Sequence, residues 1–134
     1  MIDAYVYRIL ADDPALAALL GATEADSRID PRTTDAQTRA IVYKVVPGTF
    51  DSHLHTDRIE LRIIDRDDDR IRAMQARADA LLVTRDGEPA KRFSSGGKTI
   101  AVYTCKQNGG GELDDEFDTH RLLYYNVIWR YING

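Results

Sequence analysis

Hydrophobic positions near the N-terminus recur at roughly helical spacing, with Ala4, Tyr5 and Ile9 in one set, Leu16, Leu19 and Leu20 in a second, and Asp13-Pro14 between them. This predicts two helices, or one broken helix. Asp13 is suited to cap free N–H groups, Pro14 to the first helical position and Gly21 to a left-handed closing turn, so the second piece runs over residues 14–20. Residues 22–39 are polar, threonine-rich and contain Pro31, which predicts a loop with a short edge strand near 27–30.

Strand patterns follow. RAIVYKVV, residues 39–46, is rich in β-branched and aromatic residues and stops at Pro47-Gly48. Over 58–64 the chain alternates, Ile59, Leu61 and Ile63 on one side and Arg58, Glu60 and Arg62 on the other. The two runs predict a long antiparallel hairpin whose protruding tip is the connection 49–57. DRDDDRIRAMQARADALL then places Ile71, Met74, Ala78, Leu81 and Leu82 on one helical stripe, with Asp67, Asp68 and Asp69 capping its start. Residues 85–98 read as a loop, 99–105 as a strand and NGGGELDDEFDT as a second loop. The last segment, HRLLYYNVIWRYI, fills one strand face with Leu123, Tyr125, Val127, Trp129 and Tyr131.

That strand's second face carries Leu122, Tyr124 and Ile128 beside Asn126 and Arg130, more apolar surface than a solvated sheet face usually shows. The expectation is an α+β domain over 1–134, with an antiparallel sheet of four to five strands and two or three helices packed mainly on one face. So few helices leave the second face thinly covered, and Leu122, Tyr124, Ile128 and Arg130 become the expected oligomer interface with further copies of the chain. In the polar hairpin tip, Phe50 and Leu54 stand out as apolar anchors. Phe50, Asp51, His53, Leu54 and His55 are the expected partner-binding loop.

Charge and cysteine content narrow the classes. A net charge of −4 and the lack of a basic run argue against a phosphate-binding stripe, so no direct reading of nucleic-acid sequence is expected. Cys105 is the only cysteine, which excludes an intramolecular disulfide. Asp3 near the start does not suit an export signal, and no apolar run reaches bilayer length, so a cytoplasmic location with no membrane role is expected.

Catalytic motifs are sparse. DSHLHTD places His53 and His55 two apart with Asp51 and Asp57 nearby, and were the segment a strand both histidines would face one side. A small metal-dependent hydrolase built on them is the alternative from another class, set against a solvated hairpin tip. The acidic runs at 67–69 and 112–118 lack the spacing of a calcium loop, and the glycines at 96–97 and 109–111 do not form a phosphate loop. Cys105 reads as a small core hydrophobe. No catalytic residue, metal or cofactor is assigned.

The order of a helix, RAIVYKVVPG, a polar tip, DRIELRIIDRDDDRIRAMQARADALL, a variable loop and a closing strand with YYNVIWRYI resembles the tail terminator and tail completion proteins of long-tailed bacteriophages over nearly the whole chain. The likeness rests on element order, on the Ile-Val-Tyr strand ending at Gly48, and on the alternating strand running directly into an amphipathic helix. Where such proteins often carry a proline before the first long strand, Arg39 and Ala40 stand here. The resemblance implies a homohexameric ring at the head-proximal end of the tail tube, which ends polymerisation and meets a head-tail connector or stopper protein. It implies no enzyme activity, and residence in the virion after assembly in the host cytoplasm. Alternatives within the structural class are a head-closure or minor tail protein, and outside it a ferredoxin-like regulatory module.

Overall fold

The structure, a computed structural model, describes residues 1–31, 39–114 and 118–132. Capping chemistry places the helices where the sequence predicts them. α1 (Ile2–Ala11) buries Ile2, Tyr5, Val6 and Leu10, and α2 (Pro14–Leu20) buries Leu16 and Leu20. The Asp13 carboxylate accepts a hydrogen bond from the Leu16 N–H at 2.9 Å, and Gly21 ends α2 in the left-handed region at φ 68°. α3 (Asp68–Leu82) turns Ile71, Met74, Ala78 and Leu82 inward, and its cap Asp67 accepts from the Asp69 and Arg70 N–H groups at 3.0 and 3.3 Å.

Six strands form one mixed sheet: β1 (Ile29–Pro31), β2 (Ala40–Asp51), β3 (Leu54–Asp65), β4 (Lys91–Ser95), β5 (Lys98–Asp114) and β6 (Thr119–Ile132). Their spatial order is β1-β2-β3-β6-β5-β4, antiparallel except for the β1–β2 pair. The α+β class is as expected, but the strand count exceeds four or five and the sheet is not wholly antiparallel. The differences lie at the edges. β1 is three residues long, and β4, within the expected 85–98 loop, carries Phe93 as its one large apolar side chain. Short edge strands bury little, so they leave little alternation in the sequence. The order and the single helix between β3 and β4 also differ from a ferredoxin-like alternation.

The long strands outrun their expected ends because bulges absorb the breakers. β2 continues past Pro47-Gly48 through a register shift between Val46 and Thr49, and β5 runs on through a shift between Gln107 and Gly110 where a loop is expected. Gly110 sits at φ 154°, and a Cβ there would lie 2.3 Å from the Leu122 carbonyl oxygen. The close approach of β5 and β6 therefore requires a glycine.

Every strand residue in the main core cluster of the described residues lies on the same sheet face, from Ile41 and Ile59 to Val102 and Tyr125, and all three helices pack there. Two buried carboxylates fasten helices to this core. Asp65 accepts from Arg70 Nε and Nη2 at 2.5 and 2.7 Å and from the Arg66 and Asp67 N–H groups. Asp13 accepts from Arg77 Nε and Nη2 at 2.8 and 2.6 Å, joining α2 to α3. Burial alone would raise the Asp65 pKa, but Arg70 and the two amides outweigh it and hold the carboxyl below its ordinary value. The Arg77 hydrogen bonds hold Asp13 low in the same way.

Carboxyls depressed in the folded state contribute stability above the unfolded carboxyl pKa of ~3.9 and lose it as pH falls through the folded value. Urea midpoints are therefore expected to stay level from neutral pH to about 5 and to fall below about 4. Asp65→Asn, which strands Arg70, is expected to lose roughly 3 kcal/mol at neutral pH and to flatten the acid limb. An acid limb as steep as wild type would contradict this account of Asp65.

Candidate functional site

The expected partner-binding loop is a tight hairpin. Phe50 and Asp51 end β2, Leu54 and His55 begin β3, and Ser52-His53 alone form the corner, with φ values of 47° and 78°. Positive φ at both corner positions is the geometry of a type I′ turn, the two-residue connection that matches strand twist, here made without glycine. His53 is therefore a corner residue and not a strand neighbour of His55. A strand through the whole segment, the condition for both histidines to face one side, is therefore not met.

His55 lies in an aromatic row. Its ring is 4.4 Å from Phe50 and stacks on Trp129 at 4.2 Å and 11°, with Tyr131 edge-on to Trp129 at 5.1 Å. The register explains the row, since Phe50 pairs with His55 and His55 with Trp129 across three strands. Phe50 is 64% and Leu54 40% exposed, so the row ends in apolar surface at the hairpin tip.

Asp57 anchors this end of the sheet. Its buried carboxylate accepts from Trp129 Nε1 at 2.8 Å and from the Gly48 N–H at 3.0 Å, tying the β2 bulge to β6 across β3. A Cβ at Gly48 would lie 2.2 Å from the Thr56 carbonyl oxygen, so the bulge closes only around glycine. Asp57 and Trp129 were not singled out as a pair in the sequence, although a signal existed. Asp57 and Asp65 share the inward parity of Ile59, Leu61 and Ile63, and an acid at such a position must find donors.

Of the expected interface residues, Leu122, Tyr124 and Ile128 are half-buried and Arg130 is exposed, all on the face turned away from the helices. The Arg58 guanidinium lies over the Tyr124 ring at 5.2 Å and pairs with Glu60 at 2.9 Å, while Arg130 lies over Tyr103 at 5.8 Å. Long cationic side chains from neighbouring strands thus cover part of the apolar surface. Loop and interface meet only in part. Phe50 and His55 share the helix-side face near the Trp129 end of β6, Leu54 and Asp51 turn to the other face at that same end, where Ile128 and Arg130 lie, and Leu122 and Tyr124 lie further along that face.

Among the described residues no group of three or more His, Cys, Asp or Glu side chains could hold a metal ion. His120 pairs with Ile64 at the opposite end of β3 from His55. Cys105 is buried, and burial pushes its thiol up to about 12, so it stays protonated at neutral pH. A wide open groove of about 890 Å³ runs between α1 and β4, with Tyr5, Ile9 and Phe93 among its walls. No helix among the described residues is long and apolar enough to cross a membrane.

No protein-family model and no curated protein matches the chain. A solved structure to which the chain is similar in fold has a TM-score of 0.55, with 98% of this chain and 96% of that chain covered at 13% sequence identity.

Removing the anchor tests this geometry. Asp57→Ala leaves the Trp129 and Gly48 donors without their acceptor and is expected to cost about 2 kcal/mol, with a changed emission from the single tryptophan. Asp57→Asn retains an acceptor and is expected to lose less. Unchanged emission and midpoint in Asp57→Ala would show that the latch contributes nothing.

Proposed function

We propose that this chain is a structural subunit of a phage tail, forming a homo-oligomeric ring at the head-proximal end of the tail tube that ends polymerisation and joins tail to neck. The observation that carries the reading is where exposed apolar side chains fall. Phe50 and Leu54 mark the end of the β2–β3 ribbon, and Leu113, 55% exposed, marks the far end of the β5–β6 ribbon. Large apolar groups held at the ends of rigid ribbons are poor for a solitary protein and suited to contact. The one-sided coverage of the sheet adds a second surface for like subunits.

In this reading the tip formed by Phe50, Asp51, His53, Leu54 and His55 engages a partner, the tail tube protein or the head-tail connector or stopper. Binding is the whole mechanism: subunits add to the open tube end, and the closed ring presents no further tube-like surface. The chain assembles in the host cytoplasm and resides in the virion tail or neck. Neither catalysis nor a cofactor has a part.

Tube assembly tests the reading. Added to polymerising tube protein of the same tail, the chain is expected to shorten the tubes in proportion to its concentration. Phe50→Asp with Leu54→Asp, both at exposed positions, is expected to keep the fold and to need at least about tenfold more protein for the same arrest, a loss of about 1.4 kcal/mol. Tubes of unaltered length at saturating wild-type protein would contradict the proposal.

A further inference from the structure

One long strand has an open edge. β5 pairs with β4 only over residues 98–102, and Thr84 then covers Cys105, donating its N–H to the Cys105 carbonyl and taking the Cys105 N–H on its hydroxyl, each at 3.0 Å. Beyond that point β6 is the one strand neighbour of β5 among the described residues. Cys105, Gly110, Glu112 and Asp114 face Val127, Leu123, Arg121 and Thr119, which share one parity on β6. The N–H and C=O groups of Gly110, Glu112 and Asp114 therefore point away from β6, as those of Cys105 do. The other margin of the sheet is guarded. At β1 the Ser27 hydroxyl takes the Ile29 N–H at 3.3 Å and Pro31 has no N–H to offer, and in β2 Pro47 and the bulge interrupt the edge.

The open stretch is complementary to itself. Leu113, exposed, turns outward, while Glu112 and Asp114 turn to the helix side, where Arg121 and Thr119 already bind them at 2.8 and 2.9 Å. A two-fold axis at Gly111 sets the edge antiparallel against its copy, with Gly110 opposite Glu112 and Gly109 opposite Leu113. Opposed residues then share a face, since Gly110 and Glu112 belong to the helix side and Gly109 lies outward by Tyr124. An axis at Glu112 or Leu113 would set carboxylates against each other, and an axis at Gly110 would oppose outward Leu113 to helix-side Gln107.

The helix side of this edge has room for the incoming carboxylate. A trough of about 370 Å³ runs beside α3, with Gln75, Gln107 and Arg121 among its walls. Arg121 donates to Gln75 at 3.0 Å and to Glu112 at 2.8 Å, and its buried Nε has no partner.

We infer that the β5 edge over residues 109–113 pairs antiparallel with the same edge of a second copy, joining two sheets into one across a two-fold axis at Gly111. Leu113 of each copy covers Gly109 of the other beside Tyr124, and Glu112 of each enters the other's trough beside Arg121. The contact is isologous and closes at two copies, so it is separate from any contact around a ring and does not rest on the ring reading.

Cross-linking of the full chain tests it. Gly111 is exposed, lies outside the left-handed region, and a Cβ there meets no atom of its own copy. Gly111→Cys places two thiols opposite each other in a non-hydrogen-bonded pair, and under mild oxidation it is expected to form a disulfide dimer at least about tenfold faster than Ser94→Cys on β4. A short edge makes a weak contact, so wild type is expected to dimerise near about 0.1 mM and to gain amide-exchange protection over residues 109–113 there. Leu113→Asp is expected to weaken dimerisation at least about tenfold with an unchanged circular dichroism spectrum.

Cross-linking of Gly111→Cys no faster than that of Ser94→Cys would overturn the inference. A wild type still monomeric at about 1 mM, or a Leu113→Asp chain that dimerises like wild type, would do the same. So would a dimer whose added protection falls on β2 or β4 and spares residues 109–113.

Discussion

A strand's period of two assigns each side chain to one sheet face, and here three helices occupy only one of those faces. Ile41, Ile59, Leu61, Tyr125 and Val127 complete the core beneath α1, α2 and α3, while their strand neighbours face away. The residues on the second side must satisfy themselves differently. They do so with long cationic side chains laid over Tyr124 and Tyr103, and with small or aliphatic residues such as Ala101 and Val42 between them. A face built this way carries both the charge and the apolar area that association uses.

Rigidity at the ends of the ribbons follows from a few polar anchors. Asp57 holds the β2 bulge and Trp129 together, which fixes the row of rings that ends at Phe50. Asp65 and Asp13 hold α3 against the sheet and α2 through paired arginine hydrogen bonds. Tyr125 donates to the Asp79 carboxylate from the sheet side, a further tie between β6 and α3. Each of these carboxylates ties one element to another through hydrogen bonds that the low-dielectric surroundings strengthen. Exposed groups at the ribbon ends are thereby presented with little ordering left to do on binding.

Much of the architecture was legible in the sequence. Asp13-Pro14 and Gly21 bracket α2, and the aspartates at 67–69 open α3, because caps are local chemistry. The alternation over 58–64 and in the last segment read true because the helix-side face is apolar. What escaped has physical reasons. β1 and β4 are short edges with little burial, and Pro47-Gly48 and the glycines at 109–111 read as turns although the strands pass through them as bulges. That Lys44, Arg58 and Arg130 share the outward face was invisible because they are far apart in the chain and come to one face only through strand pairing. In the candidate site, the exposed Phe50 and Leu54 were legible as apolar residues in a polar tip, whereas the place of His55 between two rings depends on a register that no local pattern encodes.

The proposed ring joins these features, since a sheet whose helices cover one face and ribbons that end in exposed Phe50, Leu54 and Leu113 offer copies of one chain surfaces on which to meet around an axis. Native mass spectrometry of the chain mixed with tube ends of its own tail tests that claim most directly. The account predicts one closed oligomer of fixed copy number bound to the tube, and a single bound copy, or a spread of open chains without a preferred number, would contradict it.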